Sequence, residues 1–211
     1  MQAQEGGIVA QTGSLPESVW TAALRGEEAA LLAWLESGGR VDATRERGGV
    51  TALIAAAQEG HERVVELLLR RGAEINLQNS NGSTALILAA SKGRERVVEL
   101  LLQRGAEVDK QSSYGGTALM AAAVNGHPAI VRLLLRAGAG TTACNAGGWT
   151  ALQLAQSKRH SECVRALEKR TTAAQAAAKE AAQAAARAVE SAAAEAEAAR
   201  HAEALLAEEE A

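Results

Sequence analysis

The triplet Thr-Ala-Leu begins at Thr51, Thr84, Thr117 and Thr150, each 33 residues after the last. A chain written on a fixed period of this length folds as a stack of like units, each too small to bury its own apolar face and each leaning on its neighbours. Whole blocks keep the same register. Gly60, Gly93 and Gly126 recur, as do Gly72, Gly105 and Gly138, and between each pair lies an apolar run such as Val64, Val65, Leu67, Leu68 and Leu69. This spacing predicts short helices with one broad buried side.

Within one unit, Thr51 stands just before the apolar-periodic residues Leu53, Ala56 and Ala57. Its hydroxyl is placed to accept a bond from an orphan amide of the first turn, which makes it a candidate N-cap. Gly60 closes that helix about two turns later, and Gly72 closes the second helix, because glycine takes positive φ at little cost. Each helix spans about ten residues, below the roughly 12 to 15 at which isolated helices become marginal in water. Stacking of unit on unit must supply the stability.

The pattern Gly-x-Thr-x-Leu-x-x-Ala-Ala-x-x-Gly-His-x-x-Val-Val-x-Leu-Leu-Leu-x-x-Gly-Ala-x-Ile-Asn, read from Gly49 to Asn76, resembles the ankyrin repeat. The resemblance implies an all-α solenoid of helix-turn-helix units joined by β-hairpin loops. The family's Pro-Leu-His after the threonine is replaced by Ala52-Leu53-Ile54, Ala85-Leu86-Ile87, Ala118-Leu119-Met120 and Ala151-Leu152-Gln153. Losing the proline removes some preorganisation of the first turn. Losing the histidine removes side-chain bonds that the family uses between neighbouring hairpins.

Both ends of the array read as capping units. Val19, Ala22, Ala23, Gly26, Leu31, Trp34, Leu35, Gly38, Val41 and Asp42 match the next unit at an offset of 34, implying one extra loop residue within 43–49. In the last unit Arg159-His160 replaces Gly-His, and Ala166-Leu167-Glu168 replaces the triple leucine. The expected organisation is a flexible N-terminal segment at 1–14, a repeat domain at 15–170 with units of about 15–42, 43–76, 77–109, 110–142 and 143–170, and an alanine-rich C-terminal helix at 171–211.

That last segment is different material: 21 of its 41 residues are alanine and none is glycine or proline, so a helix is expected in place of a disordered acidic tail. Thr172 and Gln175 fit a capping box and suggest a new helix start there. Gln175, Lys179, Gln183, Arg187 and Glu190 follow helical spacing, but only Val189, Leu205 and Leu206 add apolar bulk. A coiled-coil seam wants larger residues. The chain is therefore expected to be monomeric, with a homo-oligomer through 171–211 as the alternative.

Composition excludes several functions. No stretch of about 18 apolar residues occurs, so no membrane span is expected, and the N-terminus lacks a basic segment followed by an apolar core. A cytoplasmic setting, with the nucleus as a second choice, is the expectation. Residues 1–170 carry a net charge of +2 and 171–211 carry −5. The basic groups Arg63, Arg70, Arg71, Arg94, Arg96 and Arg104 are scattered over second helices and read as a solvated face. Nucleic acid would be met by a concentrated basic surface with stacking aromatics, so none is expected as a partner.

No chemistry-bearing motif appears. Cys144 and Cys163 are 19 residues apart with no paired metal spacing, and Cys163 takes the slot of Val64 and Val97, so both read as reduced thiols. By the resemblance, His61 and His127 hold the helix turn. His160 and His201 lie on polar stretches without a nucleophile pattern, and no phosphate loop, Gly-x-Ser-x-Gly or paired-carboxylate signature occurs. No enzyme, cofactor or metal is expected.

The resemblance implies where a partner protein would bind: on the hairpin tips and the groove side of the first helix. The tips supply Arg47, Val50, Ser80, Asn81, Ser83, Ser113, Tyr114 and Trp149. The groove supplies Gln58, Glu59, Ser91, Lys92, Val124, Asn125, Ser157 and Lys158. Tyr114 and Trp149 stand out in a chain with 2% aromatic residues, and large amphipathic rings are typical anchors. They are expected to form one patch flanked by Val124 and Asn125. Two other readings stay open: a targeting adaptor within a larger enzyme assembly, for example one for ubiquitin transfer, or an oligomer built by the alanine-rich helix.

Overall fold

The computed structural model describes residues 14–209, so most of the expected N-terminal segment 1–14, together with Glu210 and Ala211, lies outside the described residues. The described residues form ten α-helices. They are α1 (Glu17–Arg25), α2 (Glu28–Glu36), α3 (Ala52–Glu59), α4 (Glu62–Arg70), α5 (Ala85–Ser91), α6 (Glu95–Gln103), α7 (Ala118–Val124), α8 (Pro128–Arg136), α9 (Ala151–Ser157) and α10 (Ser161–Glu209). Among the described residues there is no strand, only two isolated bridges, Ser14 with Thr44 and Thr44 with Thr51. The loops are hairpins in path without becoming sheet.

The two helices of a unit differ because their neighbours differ. In α3 every residue from Ala52 to Ala57 is buried, and α5 and α7 come close to this, with only Leu88 and Ala121 half-buried before their last residues. These odd-numbered helices stack in the order α1, α3, α5, α7, α9, and α1, α3, α5 and α7 also pack against their own second helix. A helix covered on several sides must be apolar nearly all round, and alanine lets the backbones approach closely. The second helices are amphipathic: Val64, Val65 and Leu68 of α4 are buried while Glu62, Arg63 and Arg70 face solvent. Leu68, Leu101 and Leu134 are fully covered, and each such burial contributes about 1.5–3 kcal/mol.

The expected caps form. Thr51, Thr84 and Thr117 accept from Ile54 N at 3.2 Å, Ile87 N at 3.3 Å and Met120 N at 3.3 Å. Thr150 does the same from Gln153 N at 3.3 Å, and the Gln153 side chain returns a bond from Thr150 N at 2.9 Å, completing a capping box. The departure from the family pattern at Gln153 thus supplies a local bond within the unit. Gly60 and Gly72 sit at φ +89° and +84°, the left-handed closures that the sequence requires.

The chain divides between Glu168 and Lys169 into two compact units. In the first, the core runs from Leu15 to Leu167. The second carries most of α10. That helix is continuous from Ser161 to Glu209, so the new start expected at Thr172 is absent. Thr172 Oγ1 instead donates to Lys169 O at 3.1 Å, bonding back along the helix as a mid-helix threonine does. Neither glycine nor proline occurs between Ser161 and Glu209, so nothing ends the helix before Thr172. No helix among the described residues is long and apolar enough to cross a membrane.

Candidate interaction surface

Three sets of periodic bonds hold one unit to the next, and together they decide which side chains remain available. The first joins the hairpin tips through the backbone. Ser80 N donates to Gly48 O, Ser113 N to Asn81 O and Ala146 N to Tyr114 O, each at 2.9 Å. Three of these tips are braced from within by a side chain: Asn79 Oδ1 accepts from Asn81 N and Ser83 N, Ser112 Oγ from Gly116 N, and Asn145 Oδ1 from Gly147 N and Trp149 N. Asparagine and serine are suited to this because their short side chains mimic a backbone turn.

The second set lies past the second helices. Asp42 Oδ1 accepts from Glu74 N at 3.0 Å, Asn76 Oδ1 from Glu107 N at 2.9 Å and Asp109 Oδ1 from Gly140 N at 2.9 Å.

The third set runs from the turn before a second helix to the end of the preceding unit's first helix. His61 Nε2 donates to Leu24 O at 2.7 Å, Arg94 Nε to Gln58 O at 3.0 Å, His127 Nε2 to Ser91 O at 3.1 Å and His160 Nε2 to Val124 O at 3.2 Å. Each of these side chains lies against a glycine of the preceding unit. A Cβ on Gly26, Gly60, Gly93 or Gly126 would come within 2.6–2.8 Å of it. The glycines are needed for closeness as well as for positive φ.

These bonds correct three sequence readings. His61 and His127 reach into the unit before them instead of holding their own helix turn, and His160 belongs to the same set. Arg94 is not part of a solvated face; it is half-buried and stands where the other units have histidine, and its Nη2 also pairs with Glu59 at 3.7 Å. The signal was present, since Arg94 follows Gly93 in the register of His61 after Gly60. Arg70 and Arg104 do remain on the outside, sharing Glu66 Oε1 at 2.7 and 3.1 Å, where such pairs contribute little. His201 falls among residues whose side chains lie outside the described set.

The expected tip residues Arg47, Ser80, Asn81, Ser113, Tyr114 and Trp149 have exposed side chains, while Val50 and Ser83 are half-buried. Tyr114 is 69% exposed and Trp149 48%, on hairpins joined by the bond from Ala146 N to Tyr114 O. In the groove, Lys92, Asn125, Ser157 and Lys158 are exposed, and Gln58, Glu59, Ser91 and Val124 are half-buried. Several of these groups have structural duties: Gln58, Ser91 and Val124 give their carbonyls to the third set, and Asn125 Nδ2 donates to Ser91 Oγ at 3.3 Å and Ala121 O at 2.8 Å.

Cys163 is fully buried, and burial pushes its thiol pKa up against a smaller lowering by Arg132. Cys144 is exposed. Among the described residues no group of three or more His, Cys, Asp or Glu side chains could hold a metal ion, and the surface hollow lined by Glu107 to Gln111 is shallow and open to solvent.

A family model described as ankyrin repeats (3 copies) matches residues 19–112 and 106–179. The chain belongs to the ankyrin-repeat family. No curated protein matches the sequence. Ankyrin repeats are in general protein–protein interaction modules, and the family is typically a non-enzymatic scaffold. The ankyrin match ends inside the alanine-rich segment, nine residues past the expected end of the last unit at 170.

Proposed function

We propose that this ankyrin array is a non-enzymatic scaffold that binds another protein through its hairpin tips and groove, with Tyr114 and Trp149 as the anchors. The observation that carries this reading is the exposure of the two rings, 69% and 48%, on adjacent hairpins already joined by backbone. A ring held on a braced tip loses little freedom when a partner covers it, and aromatic residues of this kind dominate binding energy at interfaces. Affinity capture from native lysate with wild-type protein and the Tyr114→Ala, Trp149→Ala double variant, both first shown to have equal helical content, tests it. A protein held by wild type and lost by the variant supports the anchors. Equal capture by both removes them.

A second reading concerns the helix beyond Lys169, where Val189 is 71% exposed. Self-association through that helix would give a concentration-dependent mass that disappears on deleting 171–211, and a concentration-independent monomer mass would dispose of it.

A further inference from the structure

The residue that closes α9 differs from its counterparts. Gly26, Gly60, Gly93 and Gly126 stand at that place in the first four units, all with positive φ, and Arg159 takes the same left-handed backbone at φ +60°. It is the one non-glycine with positive φ among the described residues. In the first four units the absent Cβ makes room for the His or Arg of the following unit. No further repeat follows α9, so that steric demand lapses, while the conformational strain of a left-handed residue bearing a Cβ stays. Backbone strain of this kind points to a use for the side chain that bears it.

Arg159 adjoins Lys158, and both are exposed. Lys158 belongs to a row, since Glu59, Lys92, Asn125 and Lys158 hold equivalent places at the ends of α3, α5, α7 and α9. The one carboxylate in the row, Glu59, is met by Arg94 at 3.7 Å. Lys92, Lys158 and Arg159 take part in none of the ion pairs among the described residues. From α5 to α9 this edge therefore presents three cations that the fold itself does not neutralise.

We propose that this edge docks an acidic peptide segment of the partner protein, one carboxylate on Lys92 and another on the Lys158–Arg159 pair, a reading that rests on the protein-binding function above. Helices in contact lie about 10 Å apart, which puts Lys92 and Lys158, two units apart, at about 20 Å. An extended chain at roughly 3.3 Å per residue covers that distance in about six residues. The guanidinium fork of Arg159 suits a carboxylate held at two points. A nucleic acid fits poorly, because three cations over about 20 Å are sparse against duplex charge every ~1.7 Å, and the row carries no aromatic side chain for stacking.

The test is fluorescence anisotropy of a fluorescein-labelled decaglutamate peptide against the full chain at low ionic strength. Saturable binding should weaken about threefold with Lys92→Ala and about threefold with Arg159→Gly, and stay unchanged with Arg63→Ala on the outer face. Glycine is native to this position in the other units, so loss of binding by Arg159→Gly cannot be ascribed to misfolding. Absence of saturable binding, equal affinity for all variants, or tighter binding of a labelled single-stranded oligonucleotide would overturn the proposal. If the lysate partner is lost by the Tyr114, Trp149 variant while decaglutamate fails to bind, the scaffold reading stands and only the acidic-segment reading falls.

Discussion

The imidazole of His127 lies against Gly93 of the preceding unit, with Nε2 3.1 Å from the Ser91 carbonyl oxygen. A Cβ on Gly93 would meet His127 Cε1 at 2.8 Å, whereas one on Gly105, at φ +85°, would meet nothing within 4 Å. Both positions pay the left-handed penalty of about 1 kcal/mol on gaining a side chain, and only Gly93 adds a collision. Gly93→Ala should therefore destabilise by about 2–3 kcal/mol and Gly105→Ala by about 1. Urea unfolding of the two variants checks this, and equal losses would mean that the histidine contact is unimportant.

Arg159 offers the opposite experiment. Replacing it with glycine relieves a left-handed residue that touches no following unit, so the chain should gain about 1 kcal/mol, seen as a higher unfolding midpoint with the same helical content. A loss of stability would show that the arginine side chain supports the fold.

Thr117 is buried and accepts from Met120 N at 3.3 Å. Thr117→Val keeps the shape and removes the acceptor, leaving an amide of the first turn without its partner. The expected cost is about 1–2 kcal/mol, read by thermal or urea unfolding. A neutral outcome would assign the cap no energetic role.

The two thiols should separate cleanly under native conditions. A maleimide reagent should add once, at exposed Cys144, and reach Cys163 only on unfolding, as intact mass will show. Because burial raises the Cys163 pKa in the folded state, stability should be level below the ordinary thiol pKa and fall as pH rises from there through the folded value, where only the unfolded chain releases the proton at first. In Cys163→Ala that alkaline decline should shrink; an unchanged decline would place its origin elsewhere.

The stack was legible because its determinants are local and periodic. Thr51 and its three equivalents announced the caps, and Gly60 and Gly72 announced the helix ends, each by a requirement that few other residues meet. The bonds between units were harder to see, since Arg94 substitutes for a histidine by reach and donor geometry, which share no letter in the sequence. Thr172 misled for a related reason: the Thr172 and Gln175 pair resembles a cap, yet a cap needs the preceding helix to stop, and no glycine or proline stops it. The candidate surface was legible only as exposure. What an exposed side chain such as Tyr114 or Lys92 would meet depends on residues outside this chain, and no local rule of the sequence contains them.

The tips are fastened to one another by main-chain amides, Ser80 to Gly48, Ser113 to Asn81 and Ala146 to Tyr114. Those amides are the same for every side chain but that of proline. Ser80, Asn81, Ser113 and Tyr114 can therefore be exchanged one at a time for any residue but proline while the frame keeps its spacing, so this edge of the molecule is free to change its surface chemistry without renegotiating its architecture.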